Sequence, residues 1–382
     1  MKICFVANGL GLGGLERVVT TIGENLNSRQ FSTCYYSLST EEPIWKINGV
    51  GRLIKKKRQL GRKELIFFKV GKATEMLFKG KFNVNRYQKR FIQEVTALIW
   101  LKKIDVLVLT SAQQISAVPL IKKNCGDVKI VLWIHQSYEA ITQLAKNFSG
   151  SFMRGIKSAN QIVCLTKDAV TNFSKYNRNT TLIYNPLSFD TVVKSTGFKG
   201  YNVAFVSRIT FEQDQKGLDL LVKIIQELPV QIRLNVAGKG NKKSEKRFLR
   251  LLKNHGISKQ VNWNGPKMGH ALVEHYKSSS VFISTSRTEG FSLVILEALS
   301  LGLPVISFKT AGAVEILQGG RYGVLVDNYD TKKFAQALLR MLNDHELLAK
   351  YQALSLERAK DFKLERILQE WRELFVKLVE QA

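Results

Sequence analysis

Two glutamates eight positions apart, Glu289 and Glu297, stand in the stretch SRTEGFSLVILEALSLGLPVI. A glycine follows the first, and an apolar run ending in EAL carries the second. The pattern predicts a strand, a tight loop and then a helix, with one carboxylate at the loop and the other on the second or third turn. Free backbone N–H groups at such a helix start attract phosphate, and the helix dipole adds to the attraction. A sugar nucleotide offers hydroxyls for the carboxylates and a diphosphate for the amides. A surface glutamate and a helix glutamate without chemistry is the plain alternative.

The elements that must position these groups recur along the chain. Apolar β-rich runs begin at Ile3, Thr33, Asp105, Lys129, Gln161 and Thr181, and again at Asn202, Ile232, Val261, Val281, Pro304 and Tyr322. Nearly continuous Val/Ile/Leu strands separated by helical patterns predict parallel sheets covered on both faces. Two such sets imply an α/β fold of two doubly wound, Rossmann-like domains, with sites beyond the strand C-termini. The expected division is a first domain over 1–190, a second over 200–360 and a C-terminal amphipathic helix over 361–382 that packs back on the first.

Composition narrows the function classes. The 382 residues suffice for two cores. No apolar run reaches the ~18 residues of a membrane span, and the glycine-rich start does not resemble a secretory signal. Cys4, Cys34, Cys125 and Cys164 lack metal or disulfide spacing, which fits buried thiols in a reducing cytoplasm. The net charge is +27, and residues 52–90 hold 14 Lys or Arg against Glu64 and Glu75. Basic residues mixed with Leu65, Ile66, Phe67, Phe68, Leu77 and Phe78 suit an anionic membrane surface or a lipid-linked substrate. Nucleic acid rests on charge alone and is not expected.

VSRITFEQDQKG, AGKG, VNWNGP, the paired-glutamate segment and GLGLGGLERVV occur in an order that resembles the retaining family 4 glycosyltransferases of the GT-B fold. The resemblance is strong over 200–345 and thinner over 1–185. It implies a two-domain fold facing a central cleft, with an acceptor-binding first domain and a nucleotide-sugar-binding second one. It places Arg208 and Lys216 on the donor diphosphate, Glu289 near the donor hexose with the Gly290 and Phe291 amides behind it, and Glu297 on the ribose. Ser292 and Leu293 complete that helix start. Gly238 and Gly240 line the same pocket, the loop Gly265-Pro266-Lys267-Met268 faces the base, and Gly13 and Gly14 let backbone approach phosphate or acceptor. His135, ending a buried strand, faces the sugar 6-hydroxyl and the reaction centre. Glu315 sits near a usual family glutamate, with its role open.

Gly9, Gly11 and Gly14 also match G-x-G-x-x-G, with Glu41 and Glu42 after the second strand, the fingerprint of a dinucleotide site. That match leaves the second-domain motifs unexplained. No D-x-D triplet occurs, and no metal or cofactor is expected. The resulting expectation is a cytoplasmic, membrane-peripheral, retaining hexosyl- or N-acetylhexosaminyltransferase. Its donor would be a UDP-sugar rather than a GDP-sugar. Its acceptor would be a cell-surface polysaccharide, teichoic-acid-like or lipid-linked glycan. An NAD-dependent oxidoreductase, a nucleotide-sugar epimerase and a catalytically silent glycan-binding module stand as alternatives, and acceptor-binding residues are not identified.

Overall fold

A computed structural model of the chain describes residues 1–382 except 12, 40–41, 43, 45–46, 48–51, 56–61, 190–196 and 381–382. Glu41 and residues 56–61 of the basic segment lie outside the described residues. The chain divides into two units, Met1–Tyr184 with Glu365–Ala382, and Asn185–Leu364.

The first unit is built on strands β1 (Lys2–Ala7), β2 (Ser32–Ser37), β3 (Arg52–Lys55), β4 (Val106–Leu109), β5 (Lys129–Ile134), β6 (Gln161–Cys164) and β7 (Thr180–Leu182). They form one sheet in the order β3-β2-β1-β4-β5-β6-β7, and every pairing is parallel. Successive side chains of a strand point to opposite faces. Cys4, Val6, Leu107 and Leu132 therefore join one core, while Phe5, Tyr35 and Trp133 meet on the other face, with Phe5 6.4 Å from Trp133. The helix Leu364–Glu380 covers that second face: Trp371 lies 4.8 Å from Trp133 and Phe375 6.5 Å from Phe31.

The second unit carries β8 (Asn202–Val206), β9 (Arg233–Ala237), β10 (Val261–Trp263), β11 (Val281–Ser284), β12 (Val305–Phe308) and β13 (Val324–Val326). Their order is β10-β9-β8-β11-β12-β13, again parallel throughout. The residues of β11 and β12 are buried at every position, as strands covered on both faces must be. The expected pair of doubly wound α/β sheets is thus present. The run RLIKKKR contributes β3 as an additional strand that its lysine content concealed.

In both sheets strand order reverses once, between β1 and β4 in the first unit and between β8 and β11 in the second. Crossovers leave the strand C-termini in opposite directions at such a point, which opens a crevice where open α/β sheets bind ligands. Among the described residues no helix is long and apolar enough to cross a membrane.

Candidate active site

The second-unit residues expected to hold the donor gather at the C-terminal edge of the second sheet. Arg208 is exposed just past β8. Lys216 follows at the end of the next loop, where its ammonium forms an ion pair with Oε1 of Glu289 beyond β11. The Ser286 hydroxyl donates to the same oxygen at 3.0 Å. The backbone of this corner is equally constrained. Thr285 Oγ1 donates to the Lys216 carbonyl at 3.2 Å, and Gly312 N donates to the Glu289 carbonyl at 3.1 Å.

A second ion pair ties the loops together. Arg287 grips both carboxylate oxygens of Asp219 at 2.7 and 2.6 Å and donates to the Asp214 carbonyl at 2.9 Å. Partial burial works against the Asp219 carboxylate, but the Arg287 hydrogen bonds outweigh it and hold Asp219 below the usual carboxylate range. The Lys216 loop and the Glu289 loop are therefore clamped on either side of the Lys216–Glu289 ion pair, which preorganises fixed charge.

The glycines have steric reasons for their places. A Cβ on Gly238 would stand 1.8 Å from the Ser207 carbonyl oxygen, and one on Gly240 would stand 2.0 Å from that of Ile209. Bare backbone at both positions lets the loop after β8 lie against the loop after β9. Gly238 N donates to the Gly265 carbonyl at 3.0 Å, and the Trp263 indole donates to the Gly238 carbonyl at 2.9 Å. These contacts bring Gly265 into the same edge, with Pro266 exposed and Lys267 half-buried beside it.

Gly290, Phe291 and Ser292 lead into the helix Leu293–Ser300, whose N-cap Ser292 makes no side-chain capping bond. Glu297, on its second turn, is only 2 % exposed. Its Oε2 accepts from the Tyr276 hydroxyl at 2.9 Å. Glu315 lies in the helix Ala311–Ile316, where Arg358 binds its backbone carbonyl at 3.1 Å. Ser286, Thr285, Tyr276, Gly217 and the Arg287–Asp219 pair are site-building residues that motif spacing did not single out. Most come from other strands and helices, so only the closed sheet brings them together.

In the first unit the glycine loop runs from β1 into the helix Gly14–Leu26, with Gly13 as its N-cap. The Glu16 carboxylate folds back over Gly13, where a Cβ would stand 1.9 Å from Oε2. His135 follows β5, its ring 4.5 Å from that of Trp133. Burial pushes its imidazole down to about 3, so the ring is neutral at physiological pH. Its Nε2 is shielded and makes no hydrogen bond among the described residues.

Residues 192–355 match the family described as glycosyl transferases group 1. Over nearly its whole length the chain is 23% identical to an uncharacterized glycosyltransferase of Haemophilus influenzae, covering 96% of this chain and 98% of that one. It is 24% identical to the amylovoran biosynthesis glycosyltransferase AmsD of Erwinia amylovora, covering 98% and 99%. Among solved structures, HepE of Anabaena in complex with UDP and glucose superposes with a TM-score of 0.73 at 16% identity, over 99% of this chain and 100% of that one. Through residues 192–355 the chain is similar to the glycosyl transferases group 1 family, and its two sheets have the GT-B fold.

Proposed function

We infer that the protein transfers a hexose or N-acetylhexosamine, with retention of configuration, from a UDP-sugar to a cell-surface polysaccharide or lipid-linked glycan. The observation that carries this reading is the buried-edge ion pair of Lys216 with Glu289, supported by Ser286 at the sheet's switch point. HepE holding UDP and glucose on the same fold, and AmsD serving amylovoran biosynthesis, support the donor and the acceptor class respectively.

In this reading Arg208, Lys216 and the amides entering the helix Leu293–Ser300 hold the diphosphate, while Glu289 meets the sugar and Glu297 the ribose. The bond from the anomeric carbon to the phosphate oxygen breaks, and its electron pair stays on the phosphate. The acceptor hydroxyl oxygen bonds to the same face of that carbon, and its proton passes to the departing phosphate oxygen. Negative charge grows on the leaving group, so fixed cations bind the transition state more tightly than the ground state. The exposed apolar and basic helix Arg62–Lys79 brings the enzyme to an anionic membrane surface, on the cytoplasmic side where nucleotide sugars are held.

Thermal unfolding with UDP, GDP and NAD in parallel tests the donor. A hundredfold excess over Kd adds about 2.7 kcal/mol to the folded state. UDP is expected to raise the transition, and a rise with NAD alone would overturn the reading. With a UDP-sugar, Lys216→Ala and Glu289→Gln should each lower turnover by roughly 10²–10³-fold while the fold persists. Wild-type turnover in either variant would remove the assignment. A product of inverted anomeric configuration by NMR would end the claim of retention.

A further inference from the structure

Two neighbouring cavities of the first unit are not used by the donor chemistry. One, of about 880 Å³, reaches from the strand-order reversal outward. Its inner end holds Asn8 after β1 and Ser111 and Gln114 after β4, and its outer wall carries Phe67, Phe68 and Tyr87. The other, of about 840 Å³, lies beyond the turn Val84–Gln88 and reaches the start of the helix Ser149–Ser158. Glu75, Arg86, Lys89 and Gln93 line both, so the two spaces share a wall.

The Glu75–Arg86 part of that wall is electrically balanced, whereas Lys89 is not. Glu75 accepts from Asn83 N at 2.8 Å, from Arg86 at 2.7 Å and from the Tyr87 hydroxyl at 2.9 Å. Its charge is balanced by Arg86, and the turn is pinned to the helix Arg62–Lys79. The other charged groups of the outer cavity are Lys79, Lys81, Lys89 and Arg154. Among the described residues none of these four has an ion pair with an acidic side chain, and Arg154 donates only to the Ser151 hydroxyl, at 3.2 Å. Four uncompensated cations around one hollow repel each other and attract a multiply charged anion. The inner cavity has a different character. Aromatic faces beside amides and a hydroxyl match the apolar C–H face and the hydroxyl edge of a sugar ring.

We propose that these cavities form one track for a phosphate-bearing glycan chain: a sugar terminus enters the aromatic and amide cavity at the strand-order reversal, and the anionic chain behind it lies on Lys79, Lys81, Lys89 and Arg154. Naming this ligand as the acceptor rests on the glycosyl-transfer reading above, whereas the track's preference for a polyanion does not.

Short-chain inorganic polyphosphate is the probe, with orthophosphate as the single-phosphate comparison. Binding is measured at one moderate salt concentration for three proteins: wild type, K79Q/K81Q/K89Q, and the control K242Q/K243Q/K246Q, whose three exposed lysines lie on the second unit. Wild type and control are expected to bind polyphosphate alike, far above orthophosphate, and the track variant to bind at least roughly ten-fold more weakly. Equal weakening in the two variants would reduce the effect to net charge and overturn the track. A track variant that loses flotation with phosphatidylglycerol vesicles yet keeps its polyphosphate affinity would assign these lysines to a membrane instead, and would also overturn it. The UDP-induced thermal shift is read on the same samples. Its absence from wild type would sink the donor reading, and the polyphosphate comparison would still decide the track.

Discussion

Gly217 joins Lys216 to the helix Leu218–Gln226 with φ of 60°, and a Cβ there would stand 2.0 Å from the Thr285 carbonyl oxygen. An alanine must both adopt a left-handed backbone and push the end of β11 away, at a cost of about 1–3 kcal/mol. The displaced strand end carries Ser286 and, further on, Glu289. Gly217→Ala is therefore expected to lower the melting temperature and also to weaken UDP binding, and unchanged UDP affinity in a destabilised variant would separate the two. Titration acts at the same scale. His275 is buried with its Nε2 unpartnered among the described residues, and burial pushes it down to about 4; His135 is shifted the same way. An unfolded histidine titrates near 6.5. As pH falls below that value the unfolded chain takes up protons that the folded one refuses, so stability is lost, at up to about 1.4 kcal/mol per pH unit for His275. Urea midpoints at pH 7.5, 6.5 and 5.5 should fall across the last interval, and His275→Phe should flatten that fall.

The helix Leu364–Glu380 shows what one element adds to another. Trp371 and Phe375 are fully buried, and their rings pack 5.3 Å apart against the Trp133 face of the first sheet. Truncating a buried aromatic typically costs about 3–5 kcal/mol, so Trp371→Ala should lower the first unit's calorimetric transition by roughly 10 °C. The second unit's transition, marked by its response to UDP, should stay in place. A common fall of both would mean the helix is not specific to the first unit. Much of this architecture was legible as pattern. Twelve of the described strands announce themselves as β-rich runs, most clearly the central β11 and β12, because a strand covered on both faces must be apolar throughout. The strand Arg52–Lys55 does not, since its pairing rests on backbone hydrogen bonds while lysines surround it in sequence. Spacing likewise locates Lys216 and Glu289 as separate motif residues but not as a pair, because 73 positions separate them and only the reversal of strand order brings β8 and β11 side by side. Tyr276 is hidden for the same reason: nothing in HALVEHYK tells which carboxylate its hydroxyl will meet.

At the scale of the whole molecule, a net charge of +27 is joined to an apolar surface on one helix. Along Arg62–Lys79, Phe67 is 71%, Leu77 80% and Phe78 81% exposed, with Lys69 and Lys72 between them and Lys79 next after Phe78. Each basic residue near an anionic leaflet contributes about 1 kcal/mol, and the contribution fades within a Debye length. The protein should float with phosphatidylglycerol vesicles at moderate salt and sink when ionic strength is raised. Leu77→Asp with Phe78→Asp should abolish flotation even at low salt. Sedimentation of the wild type under every condition would leave the helix without a membrane role.

The return of residues 365–382 to the first unit also sets an order of events during synthesis. All thirteen described strands precede Trp371 in the chain, so as synthesis proceeds the face bearing Phe5, Tyr35 and Trp133 waits uncovered until the last helix emerges. The domain begun first is the one completed last. Chains truncated after residue 364 and released from the ribosome should therefore present a protease-resistant second unit and a first unit that is still readily cut.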